Sequence, residues 1–342
     1  MRHEISLMPD RELPTVHDNL SSSSHRLLYS ALKDYLPPDR MSRYGHMVDT
    51  TRFLPAGHHQ VYFRPPTRDS ELTEDGTDRR HAPDDSWKYR VWAGGQIQFV
   101  QPLIPLNNQK AAMLERIVGT SIAGDLTKLD SKVYVQIEKM ISRKHILESG
   151  PDADSPLIIE RRDLCFLRQI PPSLASPEAQ RKVPPPAKAY YSHTLTPTPT
   201  LLFRFSALTY NAHAIHINPE FTKQEYGIPK LLVHGPLSLV LMLEVLRDAL
   251  SRYEREYGTS PYIIREISYK NWAPLFVNEP MTICSKKVRD IPVPDSAPSP
   301  SPRGPWQEWQ VWIQKGEGDG ASLAVKGTVT VEPRTLEAQG II

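Results

Sequence analysis

The chain has 342 residues, more than one hydrophobic core usually serves, so two domains are expected. Hydrophobic residues make up 39% and charged residues 23%; 41 Lys and Arg against 39 Asp and Glu leave a formal charge of +2, which argues against nucleic acid as the main partner. No apolar run is long enough to span a bilayer, and the 33 prolines disfavour long uninterrupted helices.

Residues 1–43 read as an N-terminal extension with a short helical pattern over 27–36. Basic residues there are offset by Glu4, Asp10, Glu12 and Asp18, which leaves localisation open between mitochondrion and cytoplasm. An N-terminal domain over 44–170 follows. Its first piece, 60–63, is strand-like and stops at Pro65-Pro66; 67–86 is polar and reads as a surface loop with a turn at Asp75-Gly76. A loop through Arg90-Val91-Trp92-Ala93-Gly94-Gly95 leads into a strand, and 113–120, 132–142 and 157–167 alternate at strand period. Turn chemistry at Ala123-Gly124-Asp125 and Ser149-Gly150-Pro151 separates these segments, so this half is expected to be an antiparallel sheet.

The proline-rich stretch 171–200 reads as a linker. In the second domain, 201–333, a strand is expected over 201–206 and a short polar helix or turn over 219–226. The long helix is expected at 236–257, where Leu239, Leu243, Leu246, Leu250 and Tyr253 share one face. Strands are expected at 263–272, 281–288, 308–315 and 321–331, with a flexible connection at 290–305 and a tail from 334. One long helix followed by antiparallel strands is the element order of a sheet curled around a helix. Cys165 and Cys284, in apolar surroundings, read as buried thiols rather than a disulfide.

The chemistry-bearing stretch is Phe205-Ser206-Ala207-Leu208-Thr209-Tyr210-Asn211-Ala212-His213-Ala214-Ile215-His216, followed by Leu232-Val233-His234-Gly235-Pro236-Leu237 at the start of the long helix. A helix opening on Gly-Pro aims unpaired N–H groups outward, and Pro236 fits the first turn, where an N–H is not needed. A base beside such a helix end suits enolate chemistry next to a thioester carbonyl.

These two motifs resemble those of the MaoC-like, or R-specific, hydratases, whose pattern Asp-x-Asn-Pro-x-His precedes a His-Gly pair opening the central helix. On this chain the catalytic His falls on His216 and the His-Gly pair on His234-Gly235. The Asp position holds Asn211, and His213-Ala214 replaces Asn-Pro. These departures, with Arg90–Gly95 and Pro274-Leu275-Phe276, resemble the two-hot-dog branch that includes mesaconyl-C4-CoA hydratases and 3-hydroxyacyl-thioester dehydratases. The resemblance spans roughly 37–331.

It implies an α+β double hot-dog: two antiparallel sheets, each curled around a central helix, packed edge to edge as a pseudo-dimer. It also implies a hydro-lyase acting on an acyl-CoA or acyl-carrier thioester, with CoA or phosphopantetheine arriving as part of the substrate and no separate cofactor. His216 is then the acid–base residue, Asn211 holds the β-hydroxyl or water, and the Gly235 N–H polarises the thioester carbonyl. His234, Trp92 and Arg90 are the substrate-binding candidates. Each has an ordinary alternative: Asn211 caps a turn, His234 bonds the preceding loop, Trp92 packs, and Arg90 is a solvated cation. His213 reads as a loop hydrogen-bonder. No metal site is expected, since no His-Glu-x-x-His or Cys-x-x-Cys occurs. One active site per chain is expected, and a homodimer is compatible with the sequence. Two other readings stay open: a tailoring dehydratase or isomerase of secondary metabolism, and a catalytically silent binding or scaffold protein.

Overall fold

The computed structural model describes residues 2–37, 52–143, 156–170, 182–293 and 304–334. The expected turn at Ser149-Gly150-Pro151, the first residues of the proline-rich linker, the middle of the 290–305 connection and the tail beyond 334 lie outside them.

The N-terminal half contributes β1 (Val16–Leu20), β2 (Tyr89–Gln98), β3 (Gln109–Ala123), β4 (Lys132–Arg143) and β5 (Ile158–Leu167). The C-terminal half contributes β6 (Tyr191–Leu195), β7 (Tyr262–Asn271), β8 (Met281–Ile291), β9 (Trp306–Lys315) and β10 (Ser322–Pro333). All ten form one antiparallel sheet in the order β1-β3-β4-β5-β2-β7-β10-β9-β8-β6. Each half repeats the other's order in reverse, with the join between β2 and β7, where Ile97 faces Ile267. This is the edge-to-edge pseudo-dimer expected of a double hot-dog.

The helices are α1 (Arg2–Ser6), α2 (Ser22–Leu32), α3 (Pro199–Thr209), α4 (Pro219–Tyr226) and α5 (Gly235–Tyr257). The Leu stripe read from the sequence puts Leu239, Leu243, Leu246 and Leu250 of α5 into the main core with Ile283, Trp309, Val311 and Val329 from the C-terminal sheet. Gly258, left-handed at φ +64°, ends the helix.

The two halves differ in what their described residues place against the sheet. The C-terminal half carries the 23 residues of α5, and among the described residues of the N-terminal half a 3-10 turn over His58–Val61 packs against that helix. That turn is pinned to α5 through His58 Nε2, 2.6 Å from Glu244 Oε1, in a fully buried contact. The strand expected at 60–63 is therefore absent, because the Pro65-Pro66 sequence and the left-handed Phe63 (φ +54°) break an extended run.

Three further boundaries are corrected. The described part of the N-terminal extension, 2–37, is docked on the body: β1 pairs with β3, and Leu20, Leu28 and Leu32 are buried in the main core. The linker is shorter than 171–200, since β6 joins the C-terminal sheet beside β8. The strand expected at 201–206 is the helix α3: the Thr198 side chain accepts from Leu201 N, Pro199 occupies the first turn, and Leu201, Leu202 and Phe205 recur at helical spacing on a buried face. Cys165 and Cys284 are both free and buried. No helix among the described residues is long and apolar enough to cross a membrane.

Candidate active site

The turn between α3 and α4 carries the motif. Tyr210 ends α3 in the left-handed region (φ +55°), and a 3-10 turn over Ala214–His216 then brings both imidazoles inward. His216 Nδ1 lies 2.7 Å from the carbonyl oxygen of Leu232, so Nδ1 carries the proton it donates there. Its Nε2 has no partner among the described residues and is not sealed, so its lone pair faces the cavity that His216 lines.

Beneath His216 lies His234, stacked at 3.7 Å between centroids and tilted by 23°. His234 is fully buried, its Nε2 2.8 Å from Ser206 Oγ on α3, and it does not line the cavity. The sequence reading made His234 a substrate-binding candidate; the structure sets it behind the His216 ring rather than on the cavity wall, with its bond reaching α3. Burial pushes its pKa down to about 3, with the His213 charge adding to the effect. Burial also holds His216 well below the ordinary imidazole range, reinforced by His234 and His213 and opposed by the Leu232 carbonyl. Both rings are neutral at neutral pH.

Asn211 does two things. Its Oδ1 accepts from the His213 backbone N–H at 3.1 Å, the turn-capping reading, and the residue also lines the cavity. Gly235 opens α5, and its N–H has no helical acceptor at that position. A Cβ there would lie 2.7 Å from a ring carbon of Trp92, so only glycine lets the indole close on the helix mouth. Trp92 is fixed in turn by its Nε1–H donating to Gly94 O at 2.7 Å and by Asn271 Nδ2 donating to its own carbonyl. Arg90 lines the same cavity beside Asp78. Trp272 lines it as well, with Lys270 Nζ 4.5 Å above its ring.

The structure adds one residue to this set. Asp75, from the polar loop of the N-terminal half, lies behind His213: its carboxylate accepts from Tyr226 Oη and Thr73 Oγ1, and its Oδ2 is 3.5 Å from His213 Nε2. With Tyr226 donating to Asp75, the phenol oxygen accepts from His213 Nε2 at 3.2 Å, which leaves His213 Nδ1 as an acceptor. Burial opposes ionisation of Asp75, but the bonds and charge of His213 with the Thr73 and Tyr226 hydroxyls hold its carboxyl far below the usual range. The loop is locked on by Ala214 N donating to Asp75 O at 2.8 Å, and by Gly76, which leaves no room for a side chain against the Ala212 carbonyl. The Asp-Gly pair signalled only a turn. Its partner stands in the other half of the chain, beyond any local pattern.

His216, His213, Asn211, Gly235, Trp92 and Arg90 line one cavity of about 840 Å³ to which both halves contribute. The C-terminal half supplies Asn211, His213, His216 and Gly235. The N-terminal half supplies Arg90, Trp92 and the strand residues Glu115, Lys139, Glu160 and Arg162.

The model of the family described as hydroxyacyl-thioester dehydratase type 2 matches residues 57–277. The chain is 28% identical over 286 residues to the mitochondrial hydroxyacyl-thioester dehydratase type 2 of Schizosaccharomyces pombe, covering 80% of this chain and 90% of that protein. It is 31% identical over 241 residues to the mesaconyl-C(4)-CoA hydratase of Chloroflexus aurantiacus, covering 69% of this chain and 76% of that one. In fold it is similar to a MaoC-like dehydratase from Phytophthora capsici, with a TM-score of 0.60 at 10% identity over 97% of this chain and 99% of that one. With the motif loop and the helix mouth both inside the matched span, the chain belongs to the hydroxyacyl-thioester dehydratase type 2 family of hydro-lyases.

Proposed function

We propose that the chain interconverts a 3-hydroxyacyl thioester and its enoyl thioester with His216 Nε2 as the group that carries the proton. The observation behind this reading is the orientation of that ring: Nδ1 is tied to Leu232 O, and Nε2 opens on the cavity beside the start of α5. In dehydration, Nε2 takes the α-proton, the C–O bond to the β-hydroxyl breaks, and the imidazolium returns the proton to the leaving oxygen as water. Hydration runs the same steps backward. A pKa held low by burial makes the neutral ring available as base and its conjugate acid strong.

The negative charge that develops on the thioester oxygen is met by the Gly235 N–H and the positive end of α5, a placement worth about a hundred- to a thousandfold in rate per donor. The Asn211 amide N–H groups, free because Oδ1 is engaged, orient the β-hydroxyl or the attacking water. Asp75 is a positioning residue that fixes the His213 tautomer and with it the turn holding His216. Trp92 and Arg90 belong to the substrate wall. CoA or phosphopantetheine enters as part of the substrate, and no other cofactor takes part. The mitochondrial relative supports a mitochondrial location.

Purified protein mixed with crotonyl-, mesaconyl- and longer enoyl-CoAs should remove enoyl absorbance, and His216→Ala should lower the rate at least about a thousandfold with the far-UV spectrum unchanged. Activity within tenfold of the parent in His216→Ala would take the ring out of this role.

A further inference from the structure

The floor of the cavity is ionic. Glu115, Lys139 and Glu160 are cross-strand partners on β3, β4 and β5, and Arg162 stands two residues along β5 on the same face. All four line the cavity. Lys139 Nζ is 3.2 Å from Glu115 Oε1. Arg162 Nε donates to Glu160 Oε1 at 2.6 Å, and its Nη2 donates to Glu160 Oε2 at 3.1 Å and to Gln60 Oε1 at 2.6 Å. Gln60 and His59, from the 3-10 turn, cover Glu160, with His59 Nε2 3.3 Å away.

Within itself the group of four is neutral, yet it is not saturated. Arg162 Nη1 has no acceptor among the described residues and is not sealed from the cavity. Around the cavity as a whole, six Lys and Arg side chains face four Asp and Glu. A plain alkyl chain laid against this floor would strip water from Lys139 and Arg162 and give nothing back. The parallel fork of Arg162 is taken by Glu160, but a carboxylate oxygen would meet an open N–H of Nη1, a charge-assisted bond that an alkyl chain cannot make.

We propose that this floor is a subsite for a carboxylate carried on the acyl chain, received by Arg162 with Lys139 beside it. The proposal rests on the reading of the cavity as the acyl chamber, and it narrows the substrate to half-thioesters of dicarboxylic acids. Position sets the length. The Arg162 guanidinium lies 4.8 Å over the Trp92 ring, and Trp92 is the residue packed on Gly235. Both the anion site and the helix mouth thus touch one indole, which points to a short acyl chain between carboxylate and thioester.

The test compares binding of succinyl-CoA and butyryl-CoA by calorimetry at fixed ionic strength. The two have equal chain length, differ by the carboxylate, and cannot be hydrated. The wild type should bind succinyl-CoA at least about thirtyfold tighter. Glu160→Gln/Arg162→Met, which removes both charges and leaves no unpaired carboxylate, should bring the ratio close to one, mainly by weakening succinyl-CoA. A wild-type ratio near one, undetectable succinyl-CoA binding, or a ratio unchanged in the double variant overturns the subsite. Because no turnover is read, a protein that prefers succinyl-CoA but hydrates no enoyl-CoA would refute the proposed reaction and leave the subsite standing. Hydration of crotonyl-CoA without that preference would do the reverse.

Discussion

One row of side chains crosses the whole sheet on a single face: Glu115, Lys139, Glu160 and Ile97 in the N-terminal half, then Ile267, Val329, Trp309 and Lys287 in the C-terminal half. The strand order is the same on both sides of the join, but the chemistry is not. In the C-terminal half Val329 and Trp309 are fully buried in the core that α5 fills. In the N-terminal half the row carries Glu115, Lys139 and Glu160, which line the cavity, and the 3-10 turn over His58–Val61 covers Glu160. A central helix and an ionic floor exclude one another, because charged groups survive there only with partners and some access to water. On the proposed reading the duplicated fold divides its work: one half carries the proton-transfer loop on a packed core, and the other lends its charged row to the wall of the acyl cavity.

Forcing the packed half to resemble the hollow one should have the largest effect. Val329→Glu places a carboxyl under α5 with no cation within the row's apolar part; the group must stay protonated, which at neutral pH costs about 4 kcal/mol beyond lost packing of about 1 kcal/mol. Urea unfolding should show this loss of about 5 kcal/mol, and a variant within 1 kcal/mol of the parent would mean that the two faces are not as different as described.

The reverse change separates charge from packing. Glu160→Ala leaves Arg162 without its main partner and should destabilise by about 3 kcal/mol or more, whereas Glu160→Leu/Arg162→Leu should come out within about 1 kcal/mol of wild type or above it. Equal losses in both variants would show that the pair's value lies elsewhere than in mutual compensation.

Acid separates the halves more gently. His234 titrates near 6.5 when unfolded but at about 3 when folded, so the unfolded chain binds its proton first and stability falls as the pH drops below 6.5. At about 1.4 kcal/mol per pH unit the loss reaches roughly 2 kcal/mol by pH 5, with His216 acting in the same direction. The Glu160 carboxyl resists burial through Arg162 and His59 and is held far below its usual value, so its contribution is lost only as the pH falls below about 4.5. A urea midpoint that is flat from pH 7 to pH 5 would contradict imidazoles held neutral by burial.

Much of this was legible from residue order. The Val133, Val135, Ile137 alternation announced β4, the Leu stripe announced α5, and the loop through Asn211 and His216 announced a segment that lines the cavity. The ionic floor was hidden in plain alternation: Lys139 falls in phase with Val133 and Ile137, and Glu160 and Arg162 fall in phase with Ile158 and Leu164. A charge in the apolar phase of neighbouring strands was the available signal, but only pairing register shows that they meet. The helix α3 was misread because a short apolar run fits strand or helix equally, and the Thr198-Pro199 start outweighs it. Asp75 had no local signal, since its role depends on a loop from one half docking on the other.

The central proposition is that His216 Nε2 exchanges the proton at the α-carbon. Hydration of crotonyl-CoA in deuterated water, followed by NMR of the 3-hydroxybutyryl product, reads that step. Wild-type protein should place one deuterium at the α-carbon on a single face, and His216→Ala should form no product above the uncatalysed background. Product formed by His216→Ala with the same single-face label would contradict the assignment.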